Sequence, residues 1–190
     1  MYTQNFAAYY FSEQYKMIIR ESISSELDAI RILHMDAFGK PEGEVVAQLA
    51  CNILEDESAK PLLSLVVAEK EIITGHIIFS SLKIEGNQGV AAFILAPLAV
   101  SRSRQNQGLG TQLIQKGLRE LKIRGAEVVF VYGDPNYYRR FGFETGHRVE
   151  APFELEYPDA WMAQELKTNV LPKLQGVAKC CTSLMSRKYW

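Results

Sequence analysis

The turn QNQGLG, from Gln105 to Gly110, has residue types and spacing that favour binding of a phosphate group. It follows an apolar segment that ends at Val100, and it precedes a segment whose apolar residues recur at helical spacing. The first N–H groups of a helix have no partner within the helix and lie at the positive end of its dipole. Because Gly108 and Gly110 have no side chain to obstruct an approaching oxygen atom, we predict that this backbone binds an anion.

The spacing of this turn excludes two common phosphate-binding motifs. The dinucleotide fingerprint requires a third glycine three residues after the second, and this chain has Leu113 there. A Walker A motif requires a lysine directly before its Ser or Thr, whereas Gly110 directly precedes Thr111. We therefore predict neither a Rossmann dinucleotide-binding domain nor a nucleoside triphosphatase.

The remaining pattern, Gln105-x-x-Gly108-x-Gly110, resembles the acetyl-coenzyme A signature of the GNAT superfamily of N-acetyltransferases. A later segment, DPNYYRRFGF from Asp134 to Phe143, resembles the Tyr-x-x-x-Gly-Phe element of the same family. Both segments occur in the order and at the distance typical of small bacterial-type members. The resemblance extends from about residue 17 to about residue 166.

The resemblance implies an α/β (α+β) GNAT fold with a mixed, mostly antiparallel sheet of about six to seven strands flanked by helices. The fourth and fifth strands are expected to diverge. Acetyl-coenzyme A is the implied cosubstrate, without a metal, and the acceptor is an amine of a small molecule or a peptide. We expect direct transfer of the acetyl group in a ternary complex.

The implied binding site for coenzyme A extends from the end of the fourth strand into the helix. The residues expected to bind it are Leu98, Ala99, Val100, Arg104, Gln105, Asn106, Gln107, Gly108, Leu109, Gly110 and Thr111. Pro97 cannot donate to a strand ladder, so it marks a bulge or a splaying of strands. The freed backbone groups of Leu98 and Val100 are then available to an amide-rich pantetheine arm. An edge strand that tolerates a proline is the alternative.

Arginines near this site are candidates for binding the phosphates of the cofactor, although exposed arginines beside a turn are often only solvated. The candidates are Arg102, Arg104, Arg139 and Arg140, of which we select Arg104.

Tyr138 is the residue that the resemblance implies for catalysis, with its hydroxyl directed at the sulfur of the cofactor. Aminolysis of a thioester expels a thiolate, and a positioned O–H group can protonate it, an effect worth about 10²–10⁴-fold in rate. Tyr137 is the alternative, as a packed aromatic residue. Only Tyr138 fits the spacing Tyr-x-x-x-Gly-Phe.

The sequence offers no obvious general base. The apolar run from Ala91 to Leu95 lacks the carboxylate that some GNAT members place there. Glu42 and Glu44 are candidates, or they are surface residues at a helix start. His76 is interpreted as a satisfied polar side chain rather than a base. The missing carboxylate leaves a second hypothesis open, a coenzyme A-binding sensor or interaction module with weak turnover.

Composition and charge restrict the other classes of function. The 190 residues, 47% of them hydrophobic, suffice for one enzyme-sized domain. The formal net charge of −1 gives no basic field for nucleic acid. Three cysteines without disulfide or zinc spacing fit a reducing cytoplasm. Apolar runs are strand-length, so we expect no membrane span.

We divide the chain into an extension (residues 1–16), an N-acetyltransferase domain (residues 17–166) and a C-terminal tail (residues 167–190). The aromatic extension either packs on the domain or on a second copy, as in a homodimer, or is a mobile segment. In the tail, Cys180 and Cys181 are interpreted as an incidental pair. Aromatic residues after Arg148, such as Trp161, either line the acceptor site or pack in the core.

Patterning predicts the positions of the main helices and strands. Four helices are predicted. The first covers residues 25–38 and is capped by Ser24 or Ser25, and the second covers residues 42–56. The third follows Gly110 and ends at Gly125, and a short fourth helix begins at Asp134. The predicted strands are residues 17–21, 62–69, 71–85, 90–100 and 127–132.

Overall fold

The structure is a computed structural model that describes residues 17–190, in which a mixed β-sheet has helices packed on both faces. The strands are β1 (Met17–Glu21), β2 (Leu62–Glu69), β3 (Ile72–Ile84), β4 (Ala92–Val100), β5 (Val128–Tyr132), β6 (Arg148–Glu150), β7 (Trp161–Glu165) and β8 (Gln175–Lys179). The helices are α1 (Leu27–Phe38), α2 (Glu42–Glu55), α3 (Leu109–Ile123) and α4 (Pro135–Tyr138).

The main sheet has the order β1-β2-β3-β4-β5-β7. Its neighbours are antiparallel except for the parallel pair β4 and β5. Apolar residues of α1 and α2, such as Ile30 and Ile53, bury one face, and residues of α3, such as Leu113 and Ile114, bury the other. This arrangement confirms the predicted mixed and mostly antiparallel α/β fold.

The predicted helices and strands are confirmed to within a few residues, but the predicted cap of α1 is wrong. Ser24 and Ser25 lie inside a 3₁₀ turn and cap no helix through their side chains. The carboxylate of Glu26 instead accepts a hydrogen bond from the Ile23 backbone N–H, at 2.9 Å, and pairs with Arg20. Glu26 is the N-cap residue of α1, but its side chain makes no capping hydrogen bond to that helix. The expected end of α3 is confirmed, because Gly125 follows it with φ +85°.

Strands β4 and β5 diverge where Pro97 interrupts the ladder. β5 pairs with β4 only from Ala92 to Ile94. The register between β3 and β4 also shifts between Ile77 and Phe79, opposite the proline. Pro97 therefore marks both a bulge and the point where a gap opens beside β4.

The C-terminal stretch that the sequence suggested as a tail is packed against the domain. β8 pairs antiparallel with the end of β3 and parallel with β6, so the structure has eight strands rather than six to seven. Cys181 and Leu184 are buried after it. The five-residue strand QGVAK shows no clear alternation of apolar and polar residues, so its pairing was not evident from the sequence.

Some expectations concern parts of the chain beyond this description. The extension at residues 1–16, and the homodimer linked to it, lie outside the described residues. Within residues 17–190, no helix combines the length and apolarity needed to cross a bilayer. The same part of the chain contains no cluster of three or more His, Cys, Asp or Glu side chains placed to hold a metal ion.

Candidate active site

A cavity of about 600 Å³ lies where the end of β4 meets the start of α3, beside the end of α1 and helix α4. Its wall consists of Ala37, Phe38, Leu98, Ala99, Val100, Arg104, Gln105, Asn106, Gly108, Leu109, Gly110, Thr111, Tyr137 and Arg140. Ten of the eleven residues predicted to bind the cofactor are thus brought together. The exception is Gln107, whose side-chain amide donates to the Ser103 carbonyl at 3.1 Å.

The backbone of the turn presents unpaired donors to this cavity. The N–H groups of residues 105–111 have no hydrogen-bond acceptor within the described part of the chain. Gly108 is the N-cap of α3 and has φ +80°, a left-handed backbone conformation that residues other than glycine rarely adopt. No atom lies within 4 Å of the position that a Cβ of Gly108 would take. The turn therefore offers an open, electropositive cradle for a phosphate.

The edge of β4 that faces the gap also has free backbone groups. Ser101 N–H donates to the Thr74 carbonyl on β3, at 3.0 Å. Because bonding alternates along an antiparallel ladder, the backbone groups of Leu98 and Val100 point away from β3. The Val100 carbonyl accepts a hydrogen bond from the Gln105 side chain, at 3.1 Å. The signature glutamine thus fixes the turn against the strand.

Among the candidate arginines, the structure distinguishes Arg104 from Arg140. Arg104 lines the cavity, but its guanidinium forms an ion pair with Glu69, at 2.6 Å. Arg140 also lines the cavity and stacks over the Tyr137 ring, 4.6 Å from its centroid. Within residues 17–190 it forms no ion pair with a carboxylate. Arg140 therefore has the more available positive charge at the cavity.

Tyr137 is the tyrosine that lines the cavity. Its hydroxyl lies against Gly110, where an added Cβ would collide with it. Burial raises the pKa of Tyr137, while the Arg140 charge and a hydrogen bond with the Thr111 side chain oppose that rise. The Tyr137 hydroxyl is thus held at the first turn of α3.

Tyr138 lies one position further, against the end of β5. Its ring packs on Gly133 and makes an edge-to-face contact with Phe143, with ring centroids 5.8 Å apart. Burial raises the pKa of Tyr138 well above its usual value, so the phenol is protonated at neutral pH. Its hydroxyl makes no hydrogen bond within residues 17–190. The O–H group is therefore free to donate to a ligand.

No carboxylate or histidine belongs to the cavity wall. Glu42 and Glu44 are exposed in the first turn of α2 and do not line the cavity, and Glu44 pairs with Lys40 at 3.7 Å. Both fit the alternative of surface residues at a helix start.

His76 is a satisfied buried side chain, as the sequence interpretation expected. Its Nδ1 lies 2.8 Å from Nε2 of His34, and its Nε2 lies 2.9 Å from the hydroxyl of Ser64. The partner His34 was not foreseen. No sequence rule connects a histidine in a helix to one 42 residues away.

The structure also adds cavity residues that sequence reasoning missed. Ala37 and Phe38 come from the end of α1, which is distant in sequence from the signature turn. Trp161 packs in the core, stacked on Phe130 with centroids 5.1 Å apart, and its indole N–H donates to the Val149 carbonyl. Of the two alternatives for Trp161, the geometry supports core packing.

Comparison with known proteins agrees with this architecture. The model of the GNAT acetyltransferase domain matches residues 18–146. The chain is 37% identical over 163 residues to the uncharacterized N-acetyltransferase YjhQ of Escherichia coli strain K12, covering 82% of this chain and 87% of that protein.

Two solved structures show the same fold with a bound cofactor. The Escherichia coli N-acetyltransferase YhbS in complex with CoA has a TM-score of 0.82 and 27% identity, covering 91% of this chain and 94% of that chain. A GNAT family acetyltransferase from Brucella melitensis in complex with acetyl-CoA has a TM-score of 0.73 and 26% identity, covering 90% and 99%. The cavity, the diverging strands and these matches together show that the chain belongs to the GNAT family of acetyltransferases.

Proposed function

We propose that this protein transfers an acetyl group from acetyl-coenzyme A to a primary amine of a small molecule or a peptide. The observation that carries the proposal is the row of unpaired N–H groups at residues 105–111, which opens onto the cavity beside the diverging β4. Two structural relatives bind CoA or acetyl-CoA, which supports the same ligand here.

In the proposed complex, the pyrophosphate of the cofactor lies on the turn and the start of α3. The backbone groups of Leu98 and the N–H group of Val100 pair with the pantetheine amides, as an added strand would. The Val100 carbonyl already accepts from Gln105. Arg140 contributes its positive charge to the phosphates, and Arg104, although paired with Glu69, adds to the positive potential. No metal is required by this arrangement.

The amine attacks the thioester directly. Its nitrogen forms a bond to the acetyl carbon, the C–S bond breaks, and the leaving thiolate takes a proton from Tyr138. Neither a serine nor a cysteine lines the cavity, so the described wall offers no serine or cysteine nucleophile for an acyl-enzyme. The raised pKa of Tyr138 keeps its proton available to the thiolate.

The two tyrosines have different roles in this proposal. Tyr137, whose hydroxyl is engaged at α3, shapes the binding wall. Tyr138, whose hydroxyl is unengaged, supplies the proton. Its ring contacts that of Tyr137, with centroids 5.1 Å apart, and does not line the cavity, so the acetyl end of the cofactor must reach past the cavity wall toward β5.

A second candidate function is a coenzyme A-binding sensor or interaction module with weak turnover. The observation that favours it is the cavity wall without a carboxylate or a histidine. Such a module would bind the cofactor through the same turn but would not release thiol at an appreciable rate.

Release of free thiol from acetyl-coenzyme A, measured with a panel of primary amines, separates the two functions. The panel comprises small amines, amino-acid derivatives and peptides with free N-termini. We expect amine-dependent thiol release with formation of the acetylated amine, detected by mass spectrometry. Tight binding of coenzyme A by calorimetry without amine-dependent release would favour the sensor.

A further inference from the structure

A short 3₁₀ turn joins β4 to the proposed phosphate turn, and a side chain outside the cofactor cavity holds its first residue. We call this 3₁₀ turn, Arg102–Arg104, the entry turn. The backbone N–H of Arg102 donates to Oδ2 of Asp36 on α1, at 2.9 Å, although the two residues are 66 positions apart in sequence. Asp36 does not line the cavity, and the proposed acetyl transfer does not use its carboxylate.

The helix that carries this carboxylate is held in place on two sides. Leu33 and His34 are buried on its inner face, and the Phe38 ring lies parallel to the His34 ring with centroids 6.2 Å apart. On the other side, α2 packs so closely that a Cβ added at Gly43 would lie 2.6 Å from the Met35 carbonyl oxygen. The end of α1 is therefore a fixed point against which another segment can be anchored.

The entry turn, by contrast, is at the surface. Arg102 is exposed, and the bond within the turn runs from the Arg104 N–H to the Ser101 carbonyl, at 2.8 Å. The residues that follow include two with positive φ, +60° at Asn106 and +80° at Gly108. Ordering an exposed segment with left-handed residues costs free energy, so an external anchor helps the unpaired N–H groups to converge on one phosphate.

Further contacts join the same two elements. The guanidinium of Arg102 lies over Gly39, the residue after α1, where an added Cβ would collide with it. The side-chain amide nitrogen of Gln105 lies 3.5 Å from the Ala37 carbonyl oxygen. Ala37 itself lines the cavity. The end of α1 and the entry turn therefore meet at the rim of the cofactor cavity.

We propose that Asp36 is a positioning residue, which fixes the entry turn so that the N–H groups of residues 105–111 converge on the pyrophosphate of coenzyme A. The inference rests on the proposed binding of that cofactor. As a hydrogen-bond acceptor, the carboxylate orders the turn before the ligand arrives and so reduces the ordering cost of binding. As a negative charge, it acts against a ligand whose phosphates are also negative. The two contributions have opposite signs, so they can be separated.

Calorimetry with coenzyme A on three variants separates positioning from charge. Asp36→Ala removes the acceptor and the charge, whereas Asp36→Asn removes the charge and keeps an oxygen that can accept from Arg102. The matched control is Asp28→Ala, because Asp28 is an exposed aspartate two turns earlier on α1 that pairs with Arg31, at 4.0 Å. We expect about a tenfold loss of affinity in Asp36→Ala and less than about a twofold change in the other two variants.

The kinetic constants distinguish positioning from a general loss of stability. In Asp36→Ala, KM for acetyl-coenzyme A should rise about tenfold while kcat at saturating cofactor stays within about twofold, because the defect lies at the phosphates and not at the reacting atoms. A loss of folded protein would instead lower kcat and leave KM unchanged. That result, or a higher affinity for coenzyme A in both Asp36 variants, would overturn the proposal.

Amide hydrogen exchange at Arg102 in the unliganded protein tests the contact without any ligand. Exchange should be at least about tenfold faster in Asp36→Ala than in wild type, and Asp36→Asn should retain most of the protection. Equal exchange in Asp36→Ala and wild type would overturn the positioning role. A wild-type protein that binds no coenzyme A would count against the proposed function, whereas the exchange comparison decides separately whether Asp36 holds the entry turn.

Discussion

The two ends of the candidate active site differ in the groups that form them, which are backbone N–H groups at one end and side chains at the other. At the proposed phosphate end, the expected binding groups are backbone N–H groups at residues 105–111, and their positions follow from Gly108 and from the start of α3. At the proposed reaction end, the expected groups are the side chains of Tyr137 and Tyr138, which contact Gly110 and Gly133 on other elements. A backbone site is therefore local in sequence, whereas a side-chain site depends on tertiary packing.

The largest effect that we expect comes from blocking the phosphate end with Gly108→Val. The added side chain would occupy the open space in front of the N–H groups, and the φ of +80° would be strained. We expect calorimetry to show at least about a 100-fold loss of coenzyme A affinity, about 2.7 kcal/mol.

The matched control for backbone strain is Gly86→Val. Gly86 has φ +75° and also has no atom within 4 Å of a Cβ, but it lies in the turn after β3, away from the cavity. Both variants should lose similar stability in urea unfolding, and only Gly108→Val should lose cofactor affinity. Equal affinities of the two folded variants would contradict the assignment of the phosphate end.

The second prediction concerns the reaction end. Tyr138→Phe removes the unengaged hydroxyl, so kcat should fall about 100-fold while the Kd for coenzyme A stays unchanged. Tyr137→Phe, the matched control, should mainly weaken cofactor binding. Steady-state kinetics and calorimetry on both variants check this division. An equal loss of kcat in Tyr137→Phe would mean that the roles are assigned to the wrong tyrosine.

A smaller effect should follow from moving each tyrosine without altering it. An added Cβ at Gly133 would lie 2.5 Å from Cε2 of Tyr138, whereas an added Cβ at Gly110 would collide with the Tyr137 hydroxyl. Gly133→Ala should therefore lower kcat, and Gly110→Ala should raise the Kd of the cofactor, each about tenfold. If both substitutions changed the same parameter, the two ends would not be separable.

The smallest effects are expected from the carboxylates outside the cavity. Glu42→Gln and Glu44→Gln should each change kcat/KM less than about twofold, because neither residue lines the cavity. A loss of more than about 100-fold in either, with cofactor affinity preserved, would identify a general base.

The pH profile of kcat/KM should reflect the absence of a carboxylate or histidine from the described cavity wall. Within the described cavity wall no carboxylate or histidine titrates, so kcat/KM should rise with pH up to the pKa of the acceptor amine and then level off. Burial raises the pKa of Tyr138 above its usual 10.0. The phenol therefore keeps its proton near pH 10, and kcat/KM should not fall there through loss of that proton. Profiles for two acceptors of different amine pKa should shift with the acceptor.

The sequence was most informative where local rules decide the structure. The turn after β4 could be predicted because a glycine spacing, a helical pattern and a preceding apolar strand lie within about 25 residues. Pro97 likewise predicted the divergence of β4 and β5, since a missing N–H is a property of the residue itself.

Tertiary contacts explain what could not be predicted. Phe38 reaches the cavity only because α1 packs across β3 and β4, and His34 meets His76 for the same reason. The pairing of β8 with β3 and β6 joins segments about 95 and about 27 residues apart, which no local periodicity encodes. The spacing rule selected Tyr138, but the structure shows that Tyr137 lines the cavity.

The most direct test of the central claim is a titration of ¹⁵N-labelled protein with coenzyme A, followed by amide NMR. The account predicts that the largest chemical-shift changes occur at the N–H groups of residues 105–111, because these donors are unpaired in the free protein and bind the pyrophosphate. Smaller changes should follow at Leu98 and Val100. Saturable changes centred on another part of the fold, with the signals of residues 105–111 unmoved, would contradict it.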